Sequence, residues 1–126
     1  IITFEPEGIT GHQDHKAVCR WACKAATMAD HTPKVYGACE TKQRYEKVGR
    51  ACDEAFDIYF NTKHPYTIDA EQADLYIKLT SKQAQQKEQA LMAHQSQTHQ
   101  LFSSKVGRQY IKQLCSEECF IKLDTK

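Results

Sequence analysis

No stretch of this 126-residue chain approaches the roughly 20 apolar residues of a membrane-spanning helix, and its apolar opening, Ile1-Ile2-Thr3-Phe4, is too short for a signal peptide. An excess of one charge is missing too. Seventeen basic against sixteen acidic residues leave a formal charge of +1, evenly spread, which excludes a polyelectrolyte role on nucleic acid or anionic lipid. Glycine and proline are scarce, at five and three, so few residues break a helix. The single asparagine, Asn61, precedes Thr62-Lys63 and forms no N-glycosylation sequon. Large aliphatic side chains are few. The mean hydropathy is −0.67, and the 40% hydrophobic content counts alanine, tyrosine and cysteine.

Cysteine is what the chain does have. Cys19 and Cys23 form one C-x-x-x-C, Cys115 and Cys119 another, and Cys39 and Cys52 stand between them. An even count in a chain without an initiator Met leads to the expectation of a processed, secreted protein tied by three disulfides. Each bond contributes about 2–4 kcal/mol that a thin core does not supply.

The composition between the breakers, rich in alanine, glutamine, lysine and glutamate, predicts an all-α fold: one domain over 1–126, a compact bundle of about four helices cross-linked by three disulfides. Pro6 and Gly8 make residues 1–11 an irregular arm. A first helix is expected over about 12–28. Thr32-Pro33 reads as the start of a second, running to about 61 with Val35, Cys39, Val48, Cys52, Phe56 and Phe60 as its apolar stripe. After His64-Pro65, Thr67 or Asp69 caps a third helix, to about 97, that turns glutamine-rich and polar. A fourth, over about 98–123, carries Leu101, Phe102, Val106, Tyr110, Ile111 and Leu114, and its Gly107 marks a close approach or a kink.

Residues four apart share a helix face, but their Cβ atoms are too far apart for a relaxed S–S bond, which needs about 3.8 Å, so each C-x-x-x-C points to partners on other helices. Cys39 and Cys52 would lie about 20 Å apart on one helix at about 1.5 Å rise per residue. Cys23 and Cys39 flank the turn near His31-Thr32 by about eight residues each, which predicts a Cys23–Cys39 bond. Cys19 and Cys52 then fall to Cys115 and Cys119 in either order.

The catalytic candidates are weak. His12, Asp14 and His15 are three residues that could ligate zinc, or simply the polar first turn of a helix whose positive end favours Asp14. Asp53, Glu54 and Asp57 resemble paired catalytic carboxylates but read as a solvated helix face beside Lys47 and Arg50. No G-x-S-x-G, phosphate-binding glycine loop or calcium loop accompanies them. The expectation is therefore a protein without catalytic or metal-ligating residues and without a cofactor. Two functional classes follow. A protein-binding inhibitor would use a rigid helical surface, with Arg44, Tyr45, Lys47 and Arg50 as exposed anchors. A carrier of a small hydrophobic or amine ligand would enclose a cavity lined by such aromatics as Trp21, Tyr59 and Tyr110.

V-C-R-W-A-C on the first helix, G-A-C and R-A-C on the second, and L-C-S-E-E-C near the terminus, in a short helical chain, resemble the anopheline salivary family that includes anophensin and albicin. The resemblance implies a secreted, blood-feeding role against host plasma proteins. Albicin-like members block the alternative complement pathway at the C3 convertase, and anophensin-like members block contact-phase kinin generation. Neither nucleic acid nor membrane is implied as a partner.

Overall fold

The structure, a computed structural model describing residues 1–125, mixes strands with helices. In chain order these are β1 (Ile2–Phe4), α1 (Gln13–Met28), β2 (Val35–Ala38), β3 (Glu40–Thr41) and α2 (Lys42–Arg44). A π-turn, Tyr45–Gly49, leads into α3 (Arg50–Phe56), followed by β4 (Thr67–Ile68), a 3-10 turn (Ala70–Gln72) and β5 (Leu75–Lys78). Helices α4 (Ser81–Ala93), α5 (Gln95–Ser103) and α6 (Lys105–Leu114) precede the last strand, β6 (Glu117–Leu123). A four-stranded sheet has the order β1-β2-β6-β5, and a small second sheet pairs β3 with β4. β1 runs parallel to β2, and β6 is antiparallel to both β2 and β5.

The all-α expectation is thereby corrected. Helix one lies within a residue of its expected bounds, but its cap is His12 rather than Thr10 or Asp14: the imidazole Nδ1 accepts from the Asp14 amide at 3.1 Å. The second expected helix instead begins as a strand. Pro33 holds the preceding residue extended and leads into Val35–Ala38, whose ladder partners are Phe120–Leu123, more than 80 residues on. The helix proper starts only at Lys42, where Thr41 Oγ1 accepts from the Arg44 amide. Over 69–97, Asp69 and Gln72 cap only a 3-10 turn before β5, and the capping box of Thr80 and Gln83 opens α4. The fourth expected helix is split at Ser104 into α5 and α6 and stops at Leu114, because Glu117–Leu123 is an inner strand of the sheet, with Cys119, Ile121 and Leu123 on one face. Gly107 does mark a close approach: a Cβ there would run into the Leu101 backbone, so α6 lies directly on the end of α5.

Three small clusters form the core. Cys19, Ala26, Val35 and Leu123 lie where α1 covers the sheet. Cys52, Tyr110, Ile111 and Cys115 join α3 to α6, and Cys39, Ile68 and Cys119 fill the space beside β5. Five of the six cysteines are buried among these apolar neighbours and serve there as small hydrophobic side chains. All six are free thiols, so the bundle tied by three disulfides is corrected as well. Cys23–Cys39 fails for a topological reason: Cys39 continues a strand rather than an antiparallel helix, and its Sγ faces that of Cys119 at 3.3 Å. Cys23 packs beside Cys19 on α1 itself.

Candidate functional site

Helix α1 carries two apolar stripes. At about 100° per residue, Cys19, Ala22, Cys23 and Ala26 share the face that meets Val35 and Leu123. Val18, Trp21, Ala25 and Met28, at steps of three, four and three, share a second face turned to solvent. There Val18 is 40%, Trp21 68% and Met28 74% exposed. Arg20 and Lys24, one turn apart and both exposed, flank this stripe, and among the described residues neither enters an ion pair.

The start of α1 is held by the segment before it. The Phe4 ring stacks on His15 with centroids 4.0 Å apart and planes within 5°. His15 Nδ1 lies 3.0 Å from the Gly8 carbonyl oxygen, and Lys16 pairs with Glu7 at 3.2 Å. Glu5, fully buried, accepts from the amides of Glu7 and Ile9. Burial raises its carboxyl above the ordinary value, opposed by those two amides. The exposed face of α1 is therefore presented by a fixed helix.

The four anchors expected from the sequence do fall together, on α2, the π-turn and the start of α3, but Arg44 is not exposed. It is buried, and its Nε donates to Glu40 Oε1 at 2.6 Å. The same oxygen accepts from the Thr41 amide at 2.9 Å, and the Tyr59 hydroxyl donates to Glu40 Oε2 at 3.2 Å. Arg44 Nη1 also stands 3.9 Å from Glu117, whose other oxygen accepts from the Tyr76 hydroxyl at 2.5 Å. That hydrogen bond, then burial, pushes the Tyr76 phenol up to about 12. Burial raises Tyr59 as well, reinforced by Tyr110 and Glu40. Gly49 lets the Tyr45 ring lie against the helix, since a Cβ there would come within 2.9 Å of Cδ2. The ring meets Tyr59 edge-on at 5.7 Å, and the Arg50 guanidinium sits 5.9 Å from its centroid. A cleft of about 180 Å³ opens over the network between Gln43, Lys47, Gln113 and Glu117. Its one arginine is already neutralised inside the protein, so the cluster ties α2 to β6 rather than presenting a charge to a ligand.

The remaining candidates do not assemble a reaction centre. The rings of His12 and His15 lie 5.0 Å apart, and His12 Nδ1 is 3.8 Å from Asp14. Among the described residues no group of three or more His, Cys, Asp or Glu side chains is placed to hold a metal ion. Asp53 receives the Tyr59 amide on Oδ1 at 2.8 Å and its own carbonyl receives the Asp57 amide, so both help close the turn after α3. Open depressions of about 510 Å³ each lie between Thr32–Val35 and Lys122–Thr125 and beside Asp53–Lys63. Among the described residues no helix is long and apolar enough to cross a membrane.

The solvent-facing stripe of α1 was missed in reading the sequence, where Trp21 counted as core or pocket lining. The signal was present: two apolar sets offset on one 16-residue helix exceed what one packed face needs. No family model, curated protein or solved structure matches the chain.

Proposed function

We propose that this chain is a non-catalytic binding protein that occludes a partner protein with the exposed face of α1. The observation that carries the reading is Trp21, 68% exposed in line with Val18 and Met28 on a helix whose other apolar face is already buried. Tryptophan is among the residues that most often dominate protein interfaces, and a helix laid into an apolar groove uses this three- and four-residue spacing. Arg20 and Lys24 along the flank fit a groove with an acidic rim.

The mixed sheet departs from the helical fold expected with the salivary resemblance, so the face, rather than the family, carries the argument for binding. The resemblance supplies the target to test first: an assembled protease complex of host plasma, the alternative-pathway C3 convertase. Alternative-pathway lysis of unsensitised erythrocytes, classical-pathway lysis and kaolin-triggered kinin release are compared with and without the protein. Selective loss of the first supports the convertase as target, and loss of kinin release moves the target to the contact phase. No effect in all three overturns the plasma reading.

A further inference from the structure

We propose that Cys39 and Cys119 form an oxidisable cross-strand dithiol, a site where one reversible disulfide is made. The site is independent of the α1 face and of any partner.

The β2–β6 register, which pairs Val35 with Leu123 and Ala38 with Phe120, continues one step to place Cys39 opposite Cys119. The Cys39 amide donates to the Cys119 carbonyl at 3.0 Å. Directly opposed, hydrogen-bonded antiparallel residues have Cα atoms about 5.5 Å apart, within the roughly 4.4–6.8 Å that a disulfide spans. The two Sγ atoms are 3.3 Å apart on the same face of the sheet. Closing that gap to a bond of about 2.05 Å takes side-chain rotation rather than movement of a strand. No other pair has all of these features. Cys19 and Cys23 share one helix, where Cβ atoms four residues apart are held about 5–6 Å from each other. Cys52 and Cys115 share a core cluster but lie on two helices, α3 and the end of α6, with no ladder register between them.

A hydrogen bond joins the two thiols, and either sulfur can donate it. Burial disfavours the thiolate of both cysteines, and the Arg44 guanidinium favours it for both. The two cysteines are 3% and 2% exposed, so exchange with a low-molecular-weight disulfide of the glutathione type runs through local opening of the chain. The thiolate of one cysteine attacks a sulfur of that disulfide, forming a mixed disulfide and expelling one thiolate. The other cysteine then releases its proton, and its sulfur attacks the first Sγ and expels the second. Two protein thiols and one small disulfide become one protein disulfide and two small thiols, and excess dithiol reverses the exchange.

The full chain is incubated natively in mixtures of oxidised and reduced glutathione, quenched with acid, alkylated and mapped by mass spectrometry. The expected result is a fall from six free thiols to four, with one cross-linked peptide joining Cys39 to Cys119. The linkage closes a loop of about 80 residues, so the thermal midpoint should rise by on the order of 10 °C. Cys39→Ser and Cys119→Ser should each arrest the reaction as a glutathione adduct on the one cysteine that remains. Six free thiols under fully oxidised glutathione, or a different pair closing first, overturns the proposal. Both are read on the unaltered chain and do not depend on whether a variant folds.

Discussion

Glu40→Gln removes one negative charge from a buried site with almost no change in shape. In the native chain Glu40 is 2% exposed and receives the Arg44 guanidinium, the Thr41 amide and the Tyr59 hydroxyl. A glutamine keeps one oxygen for Arg44 and Thr41, and its amide group can donate to the Tyr59 oxygen, so the hydrogen bonds largely survive. What is lost is the neutralisation of Arg44, itself 6% exposed. Breaking a buried ion pair by removing one partner costs about 3–5 kcal/mol. Glu117, 3.9 Å from Nη1, retains part of the compensation and sets the expected loss at the lower end, about 3 kcal/mol. With a urea slope of about 2 kcal/mol per molar, the midpoint followed by far-ultraviolet circular dichroism should fall by about 1.5 M. Replacing both charges, as Glu40→Gln with Arg44→Met, should recover at least half of that loss, because no uncompensated ion remains. A single variant within about 1 kcal/mol of the native chain, or a double variant less stable than the single one, refutes the reasoning.

Three further outcomes are expected. Gly107→Ala should destabilise by about 1–3 kcal/mol in the same urea titration, since its Cβ meets the Leu101 backbone rather than a movable side chain. Trp21→Glu should leave stability within about 0.5 kcal/mol, because the ring is largely in solvent; a larger loss would mean that Trp21 packs in the core. Burial, with Cys23 beside one and Asp53 beside the other, pushes Cys19 and Cys52 up to about 11. Native iodoacetamide labelling of these two at pH 8 should therefore be at least about tenfold slower than in the urea-unfolded chain, read by peptide mass spectrometry. Because their folded values lie above the unfolded ones, the associated stability is complete below about pH 9 and is lost as the pH rises towards 11.

Where local chemistry decides the structure, the sequence is readable. Helix α1 lies within a residue of its expected bounds, since His12, Asp14 and a long breaker-free run act over neighbouring positions. Gly107 reads as a close approach or a kink within one helix, and the structure shows the close approach, to Leu101 at the end of α5. The sheet was hidden. Val35–Ala38 and Leu75–Lys78 have four residues each, too few for alternation to stand out, and β6 joins partners about 40 residues away on one side and more than 80 on the other. Cysteine spacing misled for a related reason. C-x-x-x-C at 115–119 reads as one helical face, but Cys115 ends α6 and Cys119 lies within β6, so the two sulfurs enter different core clusters. Arg44 looked like a surface anchor because the sequence does not show Glu40 and Tyr59 closing over it. The exposed stripe of α1 was legible in its spacing alone, yet only the sheet beneath the other face shows which stripe is already used.

The central claim, that α1 presents a binding face, is tested most directly by surface plasmon resonance on an assembled alternative-pathway C3 convertase. Native chain, Trp21→Glu and Lys47→Ala are compared at equal concentration. The native chain should bind, and Trp21→Glu should raise Kd by at least about 30-fold, the equivalent of about 2 kcal/mol for a central tryptophan. Lys47→Ala, at the rim of the neutralised cleft, should stay within about twofold of the native value. Equal binding by Trp21→Glu and the native chain would contradict the assignment of the face, and no binding by the native chain would contradict the assignment of the target.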